Sequence, residues 1–250
     1  MNEVIEQMLA HRSIRRFTDD PVHDADIASA VEAGQMASTS ENIQSYCMIR
    51  IRDEARLERL VELTGGQTKV ARCGAFFVVC GDTRRHRLLI ERGDRSYDAR
   101  FEALLLSIVD ASLFAQNAVL AFESMGYGAC YIGGLRNDLP RVQELLGFPE
   151  GVFPFFGLCI GRPDQSPTTR PRLPMDSVLF EESWPEERGM LESLDAYDRT
   201  MVDYYRTRVG NPVGTGPAPQ GWADRMIEKF TTPTRPAVAP YFRKQGASLD

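Results

Sequence analysis

The sequence feature that most limits the possible folds is a long apolar stretch at residues 101–122. It is interrupted by four polar residues, namely Glu102, Asp110, Gln116 and Asn117. At the middle of a bilayer Asp110 alone would cost about 2.5–3.5 kcal/mol, so this stretch is not predicted to cross a membrane. A helix that is apolar on nearly every side must still be covered by protein. We therefore expect a core helix that is covered by the rest of its domain and by a second copy of the chain, in an obligate homodimer.

Length and composition are those of a globular protein. The chain has 250 residues, of which 43% are hydrophobic and 26% charged, and a chain of this size buries roughly 70–75% of the surface that its unfolded form exposes. Its formal net charge of −6 argues against a nucleic-acid-binding protein. Residues 1–6 are acidic and lack the apolar core of a signal sequence, so a cytoplasmic location is expected.

The residue types that form disulfides and metal sites show no pattern of either kind. The five cysteines lie in apolar runs without a C-x-x-C spacing, and we expect them to be buried, reduced thiols. The chain has only three histidines, which disfavours a histidine-rich metal site. No metal ion is therefore predicted.

The order of predicted elements mixes helices with strands. Apolar periodicity predicts helices at 3–10, 24–36, 54–63, 101–125, 139–146 and 190–208, and strands at 47–52, 75–80, 129–132 and 153–160. An extended arm at 178–184 and a Gly/Pro-rich loop at 209–221 are also expected, with two further helical pieces after the loop. Because strands and helices do not alternate at a regular length, the pattern favours an α+β fold over a doubly wound one.

A cationic segment follows the first helix. If residues 11–15 are extended, His11, Ser13 and Arg15 project to one side and Ile14 to the other. Such donors suit a phosphate group. The alternative is a basic end to the first helix, with solvated arginines.

Three further segments carry polar or charged groups. Residues 38–44 form a loop rich in hydroxyl and amide groups, which either binds the polar edge of a planar ligand or bonds to its own backbone. Arg170 and Arg172 lie on a proline-framed stretch at 170–174, which is either a preorganised anion clamp or a surface loop. Residues 204–208 lead into the Gly/Pro-rich loop, and are either an entrance for a charged substrate or a linker.

Glycines cluster at two places. Gly65 and Gly66 precede Gln67 in a tight turn, and four glycines fall within residues 126–134. Glycine allows a backbone to approach a flat ligand and present its N–H groups. The second cluster is not a Rossmann fingerprint, because Tyr131 stands at the position of the last glycine. A phosphate-binding loop, a nucleophile elbow and a zinc-protease helix are also missing from the sequence.

The order and spacing of these segments resemble the nitroreductase/flavin reductase family, and within it the NADPH-preferring, oxygen-insensitive group. The resemblance covers nearly the whole chain and rests on residues 11–15, 65–67, 115–118, 131–137, 156–158 and 171–174. It implies a nitroreductase-like α+β fold, with a mixed and mostly antiparallel central sheet flanked by helices. It also implies a single domain at 1–250, in which 178–250 form an extension that wraps the partner of an intertwined homodimer.

The resemblance further implies FMN sites at the subunit interface. Arg12, Ser13, Arg170 and Arg172 would hold the phosphate and ribityl end, Arg15 the N1/O2 edge of the ring, and Gln67 the pyrimidine. Gly133 would offer its N–H near N5 and O4. Ser38, Thr39, Ser40 and Asn42 would reach FMN from the partner chain. The complete cofactor-binding set also contains His11, Tyr131, Ile132 and Gly134.

The function implied is that of an FMN-dependent NAD(P)H oxidoreductase that reduces nitroaromatics, quinones or free flavin by two-electron ping-pong transfer. No catalytic side chain is needed, since the cofactor carries the redox chemistry. Arg15 and Arg208 would bind substrate, with Arg208 on the 2′-phosphate of NADPH. Two departures from the family stand in the sequence: Arg170 replaces a lysine, and residues 209–219 lack the basic helpers of Arg208. The alternatives are a flavin-binding sensor and a specialised flavin enzyme such as a reductive dehalogenase.

Overall fold

The computed structural model describes residues 2–97, 101–207 and 220–247. These residues form two compact units. The first comprises the chain up to Ser166 together with the stretch from Arg235 onward, and the second comprises Pro167–Thr234. The predicted organisation as a single domain with an extension from residue 178 stays a prediction.

The first unit is built on a four-stranded sheet. Its strands are β1 (Tyr46–Ile51), β2 (Ala75–Asp82), β3 (Gly128–Ile132) and β4 (Val152–Gly161), arranged in the order β1-β2-β4-β3 with every neighbouring pair antiparallel. The central strands β2 and β4 are buried along almost their whole length, which explains their nearly continuous apolar sequences. A parallel bridge between Ser13 and Ala129 extends the β3 edge.

Helices cover both faces of this sheet. Those of the first unit are α1 (Glu3–Leu9), α2 (Asp24–Gln35), α3 (Glu54–Leu63), α4 (Arg84–Arg92), α5 (Phe101–Ser124), α6 (Leu139–Leu146) and α9 (Val238–Lys244). The apolar core on one face joins α2, α5 and α9 around Phe77, and the core on the other joins α3 and α6 around Phe76. Successive strand residues point to opposite faces, so the adjacent phenylalanines serve separate cores. The predicted α+β class is confirmed.

The apolar stretch forms α5, which is a core helix. It is the one helix of the described residues that is long and apolar enough to cross a membrane. One side of it packs on the sheet through Phe114 and Phe122, and its Asp110 is buried with two hydrogen-bond donors. The other side exposes an apolar stripe, made of Leu105, Ile108, Val109 and Leu113. Nothing in the described residues of the chain covers this stripe.

The second unit contains α7 (Glu187–Thr207) and α8 (Trp222–Thr231). Its small core joins Tyr197, Met201 and Tyr205 to Trp222. Asp198 of α7 accepts a hydrogen bond of 2.7 Å from the backbone N–H of Ala223. The two helices are therefore held together by both apolar and polar contacts.

Most predicted elements are observed with ends within a few residues of those expected, and α3 and α6 match at both ends. Helix α4 was not predicted. Its sequence is mostly charged and buries only Arg87, which donates to Glu150 at 2.6 Å and to the carbonyl of Gly246 at 3.1 Å. Polar contacts rather than an apolar stripe thus hold this helix. Residues 178–184 contain neither helix nor strand, and most of the expected loop at 209–221 lies outside the described residues.

Candidate cofactor site

The cationic segment runs along the edge strand β3. Ser13 forms a parallel bridge with Ala129, and the N–H of Ile14 donates to the carbonyl of Ala129 at 2.9 Å. Ile14 is buried against Gly128, where an added Cβ would stand 2.5 Å from the Ile14 side chain. The predicted anchoring by Ile14 is confirmed. Since the pairing is parallel, Arg15 lies toward the Ile132 end of β3 and His11 toward its Gly128 end.

His11 forms a hydrogen-bonded pair with a glutamate of α5. Its Nδ1 lies 2.7 Å from Oε1 of Glu123, and both side chains are largely buried. A cavity of about 240 Å³ adjoins the pair, and its lining includes Gln7, His11, Arg12 and Glu123. Glu123 was not predicted as a site residue, because a single acidic residue near the end of an apolar helix carries no sequence signal.

Arg12 and Arg15 are exposed cations. Among the described residues no carboxylate lies within ion-pair distance of either guanidinium. Arg15 also lies near Cys130 of β3: burial raises the pKa of the Cys130 thiol, and the positive charges of Arg15 and Lys69 partly offset this rise. Lys69 is a further cation near Cys130 that the sequence did not single out.

The two glycine clusters meet at the end of β3. Gly65 and Gly66 have φ values of +85° and +75°, so the turn before Gln67 requires glycine. The side-chain amide of Gln67 donates to the carbonyl of Thr64 at 2.9 Å. An added Cβ on Gly134 would lie 2.3 Å from Nε2 of Gln67, so the absence of a side chain at Gly134 is what permits the contact. The structure thus brings Gln67, Gly133 and Gly134 together.

The last residues of β3 differ in what they can offer a ligand. Tyr131 is partly exposed, its ring lies edge-on to Phe156 with centroids 5.2 Å apart, and burial raises the pKa of its phenol. Its hydroxyl therefore stays protonated near neutral pH and donates toward Gln116 at 3.4 Å. The side chain of Ile132 is fully buried in the core, so only its backbone can reach a ligand.

The polar loop at 38–44 lies elsewhere along α5. The Thr39 hydroxyl donates to Asp110 at 2.7 Å and accepts from the N–H of Gln44 at 2.9 Å, so it serves the structure of the loop. Ser38, Ser40 and Asn42 are exposed. Asp110 and Glu123 are separated by about 20 Å along the helix at 1.5 Å per residue. Within one chain, therefore, this loop is not beside His11.

The backbone of this loop is unusual. Glu41, Asn42 and Gln44 have φ values of +47°, +59° and +50°, a left-handed region that non-glycine residues rarely adopt. The carbonyl of Ile43 lies 2.8 Å from Nε2 of His86, which helps to hold the loop in place. Strained residues that neighbouring contacts hold in place occur preferentially at functional sites.

The remaining predicted residues belong to the second unit or are not described. Arg170 and Arg172 are exposed in the second unit, where Leu173 packs on the α7 core and the hydroxyl of Tyr197 donates to the carbonyl of Pro171 at 3.0 Å. The proline-framed stretch is thus fixed to α7. Arg208 lies outside the described residues. In the described part of the chain, no cluster of three or more His, Cys, Asp or Glu residues could hold a metal ion, and all five cysteines are free.

Comparison with known proteins matches the chain over nearly its whole length. The nitroreductase family model matches residues 8–162, and the model of the nitroreductase family C-terminal domain matches residues 170–250. The chain is 40% identical over 249 residues to an oxygen-insensitive NADPH nitroreductase of Salmonella typhimurium, with 98% of each chain covered. It is 37% identical over 250 residues to an FMN reductase (NADPH) of Bacillus subtilis, again with 98% of each covered.

A solved structure agrees with these relatives. The structure of the NfrA1 nitroreductase from B. subtilis superposes with a TM-score of 0.93 at 36% identity, covering 99% of this chain and 100% of that one. The predicted fold and the predicted family resemblance are both confirmed. The chain belongs to the nitroreductase family.

Proposed function

We propose that the protein is an FMN-dependent NAD(P)H oxidoreductase that reduces nitroaromatics, quinones or free flavin in two-electron steps. The observation that carries this proposal is the contact geometry at β3, where cationic residues 11–15 run alongside the strand and Gln67 meets Gly134 at its end. Full-length relatives named as an NADPH nitroreductase and an FMN reductase support the same activity.

The donors at this edge fit the chemistry of FMN. The cofactor joins an anionic phosphate to a planar ring through a polyhydroxyl chain, and Arg12 and Arg15 offer cations that no carboxylate in the described residues neutralises. His11, Arg12 and Ser13 would hold the phosphate end. Arg15, Gln67 and the backbone of Gly133 would hold the ring, with Tyr131, Ile132 and Gly134 around it. That Arg170 and Arg172 bind the phosphate group of FMN stays a prediction.

The chain's own contribution to catalysis is binding and charge. FMN supplies two-electron transfer between a nicotinamide and an acceptor, which occupy the site in turn. Arg15 would place a fixed positive charge beside the bound ring, and preorganised charge of this kind lowers the energy of negative charge that develops there. NADPH is the proposed donor. The contact of Arg208 with its 2′-phosphate stays a prediction.

Small-molecule acceptors would reach a site completed by a second copy of the chain. The exposed apolar stripe of α5 needs cover, and the loop at 38–44 is anchored to α5 about 20 Å from the turn that contacts His11. In an intertwined homodimer Ser38, Thr39, Ser40 and Asn42 would contact the partner's FMN. Five free cysteines fit a reducing, cytoplasmic location.

The test is a spectrum followed by steady-state kinetics. Purified protein incubated with FMN and desalted should keep the visible absorption of bound flavin, and should oxidise NADPH in the presence of a nitrofuran, a quinone or free FMN. A protein that remains colourless would contradict the proposal. Stopped-flow absorbance then measures how fast NADPH bleaches the bound flavin. Fast bleaching identifies an enzyme, whereas a flavin sensor would show no bleaching.

A further inference from the structure

All five cysteines of the chain pack in or against one apolar core, the core that α3 and α6 cover. Two pairs among them face each other across neighbouring strands. Cys47 of β1 is paired with Cys80 of β2, and Cys130 of β3 is paired with Cys159 of β4. Thiols that meet in this way can form a disulfide if their backbones are close enough and if one of the two thiols can react.

The hydrogen bonds of the thiols separate the two pairs. Cys73, Cys130 and Cys159 each donate to a backbone carbonyl, at 3.2, 3.7 and 3.5 Å. A thiol must keep its proton to donate such a bond, so these contacts favour the less reactive form. In the described part of the chain, the sulfurs of Cys47 and Cys80 have no carbonyl acceptor and bond to each other instead. The Cys159 sulfur also bonds to that of Cys73, which makes these two the competing pair.

The backbone distance between Cys47 and Cys80 fits a disulfide. Two residues away in the same register, the N–H of Asp82 donates to the carbonyl of Ser45 at 3.1 Å. Hydrogen-bonded and non-bonded pairs alternate along antiparallel strands, so Cys47 and Cys80 also form a hydrogen-bonded pair, with Cα atoms about 5.5 Å apart. Disulfides span Cα distances of about 4.4–6.8 Å. The Cβ atoms of such a pair, about 4.5–5.5 Å apart, must approach to about 3.8 Å, so the bridge draws the strands together and is easily reduced again.

Cys47 has the properties of the attacking thiol. It is partly exposed, whereas Cys80 is fully buried. The hydrogen bond from Cys80 has the largest effect on the pKa of the Cys47 thiol and lowers it; burial and the charge of Asp82 oppose this, and the charge of Arg85 adds to it. Burial and the same hydrogen bond raise the pKa of Cys80. The pair therefore joins an accessible, activated thiol to a protonated thiol behind it, which is the arrangement of redox-sensing cysteines.

We propose that Cys47 and Cys80 are a redox-active dithiol that hydrogen peroxide converts to a disulfide. The Cys47 thiolate attacks one oxygen of the peroxide, the O–O bond breaks, and the hydroxide that leaves takes up the proton that Cys47 released. The sulfur of Cys80 then attacks the sulfenic acid formed on Cys47, and the S–O bond breaks as a second water leaves with the proton of Cys80. The two thiols lose two electrons in total, and one peroxide is reduced to two waters. This inference goes beyond the proposed function and does not depend on bound FMN.

A thiol count and peptide mapping of the purified, full-length protein test the proposal. The folded protein is treated with a small molar excess of hydrogen peroxide, unfolded in the presence of N-ethylmaleimide, and digested for mass spectrometry. The free thiols should fall from five to three per chain, because one disulfide consumes two, and dithiothreitol should restore all five. The linked peptides should be those of Cys47 and Cys80. A bridge that contains Cys73, Cys130 or Cys159, a bridge between two chains, or the persistence of five thiols would each overturn the proposal.

Single variants identify the thiol that attacks the peroxide. Cys80→Ala should accumulate a sulfenic acid on Cys47, which dimedone labels, whereas Cys47→Ala should form no disulfide and take up no label at Cys80. Cys130→Ser is the matched control, because it breaks the other cross-strand pair; it should lose two of its remaining four thiols at the rate of the wild type. A label on Cys80 in Cys47→Ala, or a slower loss in Cys130→Ser, would contradict the assigned roles. The wild-type measurement decides the proposal even if a variant fails to fold.

Discussion

The arginines of the first unit differ in whether a carboxylate lies beside them. Arg50 and Arg52 bind Asp24, and Arg87 binds Glu150, so these arginines are neutralised within the chain. Arg12 and Arg15 have no such partner among the described residues. In a protein of net charge −6, cations left unpaired at one edge favour an anionic ligand at that edge.

Replacement of Arg15 by alanine is expected to weaken FMN binding. A hydrogen bond to a charged group contributes about 1.5–3 kcal/mol, so the Kd should rise about 10- to 100-fold. Fluorescence titration of the apoprotein with FMN measures this change.

The neighbouring Arg16→Ala variant is the control for Arg15. Arg16 is also exposed but donates to the carbonyl of Asp164 at 3.0 Å, so its loss should leave the Kd unchanged. If both variants raised the Kd equally, the loss of any positive charge in this segment would weaken FMN binding, and the assigned role of Arg15 would be wrong.

Among the elements of the first unit, helix α5 contacts other segments at several points along its length. Near its middle Asp110 anchors the loop at 38–44, and at its end Glu123 holds His11. The same helix packs on the sheet and exposes the apolar stripe. Two polar residues of this largely apolar helix, Asp110 and Glu123, are thus points where it holds other segments.

Replacement of Asp110 by alanine should destabilise the fold. The carboxylate accepts from the Thr39 hydroxyl and, at 2.9 Å, from the N–H of Ser45, and both donors would lose their partner. We expect the free energy of unfolding to fall by about 2–4 kcal/mol, measured by urea denaturation at a fixed protein concentration. Glu102→Ala, at an exposed position of the same helix, should change it little. Equal stability of the two variants would contradict the anchoring role.

The contact between α2 and β1 should depend on pH. The hydrogen bond from Arg50, followed by the charge of Arg52, lowers the pKa of Asp24 below its ordinary value of 3.8. The contribution of this carboxylate to stability is therefore complete above pH 3.8 and is lost as the pH falls through the lower pKa of the folded state. Unfolding of wild type and Asp24→Asn should differ at pH 6 and converge in strong acid. A difference that grows on acidification would contradict this sign.

For the whole molecule, the exposed stripe of α5 predicts dimerisation. Leu113 is 43% exposed in one chain, and a glutamate there would place a charge in the proposed interface. Leu113→Glu should sediment as a monomer and bind FMN more weakly, because the partner's loop at 38–44 is then absent. Leu89→Glu on α4, at a position 55% exposed, should remain dimeric. A dimeric Leu113→Glu or a monomeric wild type would disprove this interface.

A helix is predicted best from the sequence when the residues that give the signal also form its ends. Helix α6 was predicted at both ends because Asp138 caps its first turn at the N–H of Arg141, and Gly147 takes the left-handed conformation that ends it. Helix α4 was missed because its stabilising partners, Glu150 and the carbonyl of Gly246, are remote in sequence. The candidate site shows the same division: its motif residues were proposed from the sequence, whereas Glu123 and Lys69, which lie near them in the structure, carry no local signal.

The sequence by itself determined the fold class and the core helix, because periodicity and capping are local properties of the chain, and its family resemblance proposed a set of cofactor-binding residues. Only the tertiary structure decided which of those residues meet. Parallel pairing with β3 sets the direction of residues 11–15, and the length of α5 separates the Thr39 loop from His11. Contacts of this kind join residues more than 70 positions apart, and their geometry follows from packing the helix on the sheet rather than from any local pattern.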